Sequence, residues 1–312
     1  MNQIYRKSPF WSLAGPMLGY LAIQFVVQFA AQLVIEMPYV MRAYAEILRG
    51  SSDTVPSMQE LLNSYMQTLE PAFEAIVRYQ VEIAALSALG TIVLTGILFA
   101  RDRKLEEKIG VVLPEKAPLS KYWTVVIFGI AGCIAATCLM AMVQLAFYDD
   151  QYQQTAQITY SAGLLVQIIG LGIITPVAEE LMFRGILYKR FRERQGFWYS
   201  ALWSALLFSF MHSNTTQMVY TFLLGVLLSY LYEKFGSFKA PLILHILLNT
   251  GSVVFTEVGV FRYLAGSPRR MAGAVIAGAF LCSVMFAVIQ RIPVRIESRL
   301  NTNDTDRHDM FS

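Results

Sequence analysis

Three short stretches in the second half of the chain carry residue types that could do chemistry. The first is Glu179-Glu180-x-x-x-Arg184, two adjacent carboxylates and an arginine closing an apolar run. The second is Phe208-x-x-x-His212, at the end of another apolar run, and the third is His245-x-x-x-Asn249, inside a third. Helical spacing puts Glu180 and Arg184 on one face, and His245 and Asn249 likewise. Glu179 points about 100° away from Glu180, so Arg184 is poorly placed to neutralise it. One carboxylate is therefore expected to be structural and the other free. A free carboxylate, two imidazoles and a carboxamide suit the activation of a water and the stabilisation of an oxyanion. Each motif also has a plain reading: an ion pair that ties a helix, a satisfied terminal histidine, a polar pair between helices.

The elements that must position these residues are membrane helices. The chain has 312 residues, of which 55% are hydrophobic and 15% charged, against about 25% charged in soluble domains. Its net charge of +3 comes from basic residues beside apolar runs, which reads as orientation in a bilayer rather than nucleic-acid binding. Cys133, Cys138 and Cys282 all lie in apolar runs, against both a disulfide framework and a cysteine metal site. No cleavable leader pattern follows Arg6-Lys7.

Runs long enough to span place helices over Trp11–Ile35, Val81–Ala100, Trp123–Phe147, Gly163 to the glutamate pair, Phe197–His212, Met218–Tyr232, Ala240–Phe255 and Met271–Gln290. The fold class is thus all-α, a polytopic bundle of about eight transmembrane helices. In the first span Gln24, Gln28, Gln32 and Glu36 form a stripe that predicts hydrogen bonds between helices. Residues 37–78 read as an outer amphipathic segment, with a Ser57/Glu60 capping box at its start and Pro71 at its stop. Lysine and arginine counts put both termini on the cytoplasmic side, while Arg262, Arg269 and Arg270 dissent. Residues 1–160 form an N-terminal membrane region, 161–258 a catalytic core, and 259–312 a last span and tail that includes His308. Rise per residue puts Glu180 about 15 Å above Arg190, His212 about 22 Å above Phe197 and His245 about 9 Å above Lys239. The spans must be staggered or interrupted, with Pro241 a contributor, and a cavity open to the cytoplasmic side is expected to supply water.

The order EExxxR, FxxxH, HxxxN, each on its own apolar helix, resembles the CPBP family of intramembrane proteases. That family includes the type II CAAX prenyl endopeptidases and the Abi proteins of bacteriocin self-immunity. The resemblance covers about Gly163 to Asn249. It implies a conical active-site cavity in the membrane and an endopeptidase that acts on a membrane-anchored peptide or protein. Glu179 would be the general base, His212 and His245 would hold the water, and Asn249 would donate to the oxyanion. Glu180 and Arg184 would brace the site, and Phe208 would pack. Zinc on Glu179, His212 and His245 and a metal-free glutamate mechanism both remain open, since a ligated Glu179 could not also be the free base. A cell membrane, a lipid bilayer partner and no nucleic acid complete the expectation. Prenylation of the substrate is not implied. A non-catalytic scaffold or immunity protein is the competing function, and a transporter, lacking visible inverted repeats, ranks behind it.

Overall fold

The structure, a computed structural model, describes residues 8–50, 57–110, 115–146, 149–212 and 214–293. His308 and the Glu60 side chain of the expected capping box lie outside the described residues. The described residues are helical throughout, with no strand. In chain order the helices are α1 (Pro9–Gly50), α2 (Met58–Arg78), α3 (Gln80–Lys108), α4 (Trp123–Ala146), α5 (Asp150–Ser161), α6 (Leu164–Arg192), α7 (Phe197–Ser209), α8 (Thr215–Phe235), α9 (Lys239–Glu257), α10 (Val260–Ala265) and α11 (Pro268–Gln290). Seven of them are long and apolar enough to cross a membrane: α1, α3, α4, α6, α8, α9 and α11. The expected fifth span, α7, has 13 residues, about 20 Å, and falls short of a bilayer's apolar thickness.

Two prolines lie inside helices without ending them. α1 runs for 42 residues straight through Pro38, and α2 continues past Pro71, which was expected to stop it. Good helix formers surround both prolines, and α1 and α2 pack along each other, so the lost hydrogen bond does not end either helix. The glutamine stripe also behaves differently. Gln28 and Gln32 are exposed, and Gln32 donates to Glu36 on its own helix at 2.8 Å rather than to a neighbour. Inter-helix polar ties lie elsewhere, and the three cysteines are free thiols.

Most of those ties gather at one end of the bundle, called the basic end below. Arg190 of α6 clasps Asp102 of α3 through both oxygens, at 2.8 and 3.1 Å, and donates to the Ser12 carbonyl of α1. Lys189 meets Glu106, and Arg192 and the Tyr188 hydroxyl both reach Glu233 of α8. Lys234 donates to the Gln290 carbonyl at 3.0 Å, at the end of α11. The cations used to orient the chain thus also lock helices together. At the opposite end α5 packs against α2, α3 and α8, and its N-cap Asp149 accepts from the Tyr152 N–H and the Thr216 hydroxyl.

Candidate active site

The site starts from an irregularity in α6. Its backbone widens to π-helical turns at Gln167–Ile174 and again at Leu181–Tyr188, with a single α-helical segment, Thr175–Glu180, between them. Such widened turns are uncommon and concentrate at functional sites. Pro176 sits in the middle segment and has no N–H. A proline there removes one donor, the one that would serve Gly172 O in an α-helical turn or Leu171 O in a π-helical one. Those are the two carbonyls that α9 serves: Asn249 Nδ2 donates to Leu171 O and Thr250 Oγ1 to Gly172 O, each at 3.1 Å. The fit is close, since a Cβ at Gly172 would come within 2.5 Å of Thr250 Oγ1.

This clamp holds α9 against α6 and sets His245, one turn before Asn249, opposite the glutamates. Glu180 is fully buried and takes the Arg184 guanidinium on Oε1 at 2.7 Å, the i,i+4 contact expected from the spacing. The same oxygen faces His245 Nδ1 at 3.0 Å, while His245 Nε2 lies 3.6 Å from Glu179 Oε2. One imidazole therefore joins both carboxylates. The bond to Glu180 keeps a proton on Nδ1, which leaves Nε2 with its lone pair toward Glu179 in the neutral ring. Glu180 braces more than Arg184: it also fixes the tautomer of His245.

Phe208 of α7 ties the remaining pieces together. Arg184 lies over its ring at 4.6 Å and also donates to Gly225 O of α8. Both histidines meet the same ring edge-on, His212 at 5.1 Å and His245 at 5.9 Å. Cation and imidazoles thus share one aromatic neighbour. His212 Nδ1 donates to the Phe208 carbonyl at 3.2 Å, so its Nε2 carries the lone pair. The short length of α7 matters here. Ending near Phe208, the helix delivers His212 to the site instead of carrying it to the far surface.

Glu179, Glu180, Arg184, Phe208, His212 and His245 are accordingly brought into one cluster, while Asn249 lies one turn along and is engaged with backbone. Asn249 retains a second amide proton, because the group carries two. Among the described residues no three His, Cys, Asp or Glu side chains form a group that could hold a metal ion. His245 directs one ring nitrogen at each carboxylate.

Two tyrosines went unremarked in the sequence. Tyr20 of α1 is buried with its ring 6.2 Å from Phe183, and Tyr220, the other, stands in the second turn of α8. Tyr20 stands one helical turn before Gln24, so it extends the glutamine stripe toward the site. That spacing was the available signal.

Among the described residues, α6 is closed toward the basic end, where an opening was expected. Glu179 keeps 15% of its side-chain surface, Glu180 none, and Met182, Phe183, Arg184, Ile186, Leu187 and Tyr188 beyond it are fully buried. Large side chains and the ion pairs fill that half. A cavity of about 350 Å³ does open elsewhere, between α3 and the start of α6, lined by Glu82, Leu86, Leu89, Leu165, Ile169 and Gly170. None of the expected site residues lines it.

Residues 161–251 match the sequence profile of the family described as type II CAAX prenyl endopeptidase Rce1-like, a stretch that holds all three motifs. The chain is also similar to a protein of Bacillus subtilis (strain 168) named "Putative membrane peptidase YdiL". That pair is 27% identical over 116 residues, 37% of this chain and 47% of the relative. An "Uncharacterized 24.3 kDa protein" of Escherichia coli is 31% identical over 97 residues, 30% of this chain and 45% of the relative. The chain spans about half the length of these relatives. No solved structure matches it.

Proposed function

We propose, on the premise that residues 161–251 are a CPBP-family, Rce1-like protease segment, that the chain is a membrane-embedded endopeptidase. It hydrolyses a peptide bond of a membrane-associated protein or peptide with water activated by Glu179. The observation that carries this reading is the imidazole between two carboxylates: His245 Nδ1 on Glu180, Nε2 toward Glu179.

The chemistry follows from those contacts. Glu179 accepts one proton of a water as the water oxygen attacks the peptide carbonyl carbon. His245 Nε2, held as an acceptor by Glu180, orients that water through its second proton, and His212 borders the site beside the shared Phe208 ring. The second amide proton of Asn249 serves the oxyanion of the tetrahedral intermediate. Collapse breaks the C–N bond, and Glu179 returns its proton to the departing amine. One water is consumed, giving a carboxylate and an ammonium group once the acid proton passes to the amine. The basic end would face the cytoplasm in a cell membrane.

The test is turnover of a membrane-anchored peptide by purified protein. Glu179→Gln is expected to lower it by about 10²–10⁴-fold with little change in thermal stability; turnover equal to wild type rejects the reading. Stoichiometric zinc that is lost in His245→Ala would replace the metal-free route with a metal one. The scaffold reading draws on Asn249, whose bond to Leu171 O is structural. It prevails if Glu179 and His245 variants keep the biological phenotype and lose only stability.

A further inference from the structure

The surface that the site keeps lies wholly on one side of it. Along α6 the residues change at Glu180, from half-buried positions such as Leu171, Ile174, Thr175 and Glu179 to the closed run 182–188. α7 points the same way, since it leaves the basic end at Phe197 and releases His212 at its other end. The connection after His212 then runs to Asn214, the N-cap of α8, and Thr216 two residues on bonds to Asp149 at the start of α5. α5 is therefore the element above the site.

Its chemistry differs from that of the spans. Residues 147–163 contain no lysine or arginine, two aspartates, and a run of amides and hydroxyls. Tyr160 shares a hydrogen bond with Ser252 of α9 at 2.8 Å, and Tyr220 stands in the second turn of α8, one turn beyond the Thr216 that bonds α5. Phenols thus stand where α5 meets both α8 and α9. Phenols offer both a hydrogen-bonding group and an apolar face, which suits an extended polypeptide of neutral or cationic character better than an acidic one.

We infer that substrate reaches Glu179 from the end opposite the basic residues, through a mouth roofed by α5 and lined by Tyr152, Tyr160 and Tyr220. Because the basic end faces the cytoplasm, the substrate is the extracytoplasmic part of a membrane-associated polypeptide. This rests on the peptidase reading for the reaction but not for the direction of access.

Accessibility tests the direction without turnover. In a background with Cys133, Cys138 and Cys282 replaced by alanine, His212→Cys and Lys104→Cys are labelled in spheroplasts and in inverted vesicles with a membrane-impermeant sulfonated maleimide. Lys104 is exposed at the basic end and reports that side. The expected result is His212→Cys reacting in spheroplasts about ten-fold faster than in inverted vesicles, with Lys104→Cys the reverse. Reaction of both cysteines from the same side, equal reaction from both sides, or no reaction of His212→Cys overturns the inference. Met211→Cys, half-buried beside it, repeats the measurement should His212→Cys fail to fold. Tyr220→Phe and Tyr160→Phe then ask whether the mouth contacts peptide: KM is expected to rise about two- to ten-fold at little change in kcat. An unchanged KM in both removes the phenols from the proposal. Labelling as expected, with full turnover in Glu179→Gln, would leave the mouth standing and the peptidase reading rejected.

Discussion

The two halves of α6 are built on opposite plans. From Glu180 to Arg192 every ionisable side chain with a clear contact is paired: Glu180 with Arg184 and His245, Lys189 with Glu106, Arg190 with Asp102, Arg192 with Glu233. From Leu164 to Glu179 the helix is held to α9 by backbone carbonyls and two small polar side chains, and its last carboxylate keeps some exposure. The difference teaches where such a helix bundle tolerates looseness. A buried charge without its partner costs several kcal/mol, so the closed half is cooperative and intolerant. The open half leaves Glu179 with a single, long contact to an imidazole, a geometry compatible with exchanging protons.

The largest effect should come from breaking the closed half. Arg184→Met removes the cation from a fully buried carboxylate and is expected to destabilise by about 3–5 kcal/mol, measured as loss of detergent-resistant folded protein. Pairing it with Glu180→Leu should recover much of that stability and none of the activity, since His245 then loses the oxygen that fixes its tautomer. Equal damage from Glu179→Leu on the open side would erase the contrast between the halves.

A middle-sized effect belongs to the clamp on the open half. Asn249→Ala leaves Leu171 O without its side-chain donor and is expected to cost about 1–3 kcal/mol. The cause assigned here makes a sharper demand. Pro176→Ala restores a backbone N–H beneath the same carbonyls, so Asn249→Ala should cost about 1 kcal/mol less in that background. Additive effects would show that Asn249 does not answer the proline.

The sequence made some of this arrangement legible and concealed the rest for definite reasons. Contacts within one helix follow from spacing alone, which is why the Glu180–Arg184 pair and the shared face of His245 and Asn249 could be read directly. Contacts between helices depend on register. Nothing in the spacing says that His245 would meet Glu180 as well as Glu179, or that Asn249 would turn to a carbonyl. The missing N–H at Pro176 was visible, yet which carbonyl it strands depends on whether the turn is α or π, and no residue pattern sets that. Helix length misled in both directions. Apolar composition carried the fifth span to His212 although α7 ends at Ser209, and Pro71 marked a stop that α2 runs past while packed against α1.

The smallest expected effect is at α5, where the roof is fastened by one half-buried aspartate. The Thr216 hydroxyl, followed by the Tyr152 N–H, holds the Asp149 carboxyl below its ordinary value of 3.8. A group depressed on folding contributes stability that is full above its unfolded value and disappears as pH falls through the folded one. Fastening of α5 should therefore be constant from neutral pH to about pH 4 and weaken only below it. Thr216→Val removes the main cause, so wild type and variant should melt apart at pH 6 and together once Asp149 is protonated. Because Asp149 is only half-buried and still meets solvent, that separation should be small and should shrink further in high salt. A gap that persists in strong acid would mean that Thr216 acts through packing against α5 and not through the carboxylate. The roof would then resemble the closed half of α6 more than the open one.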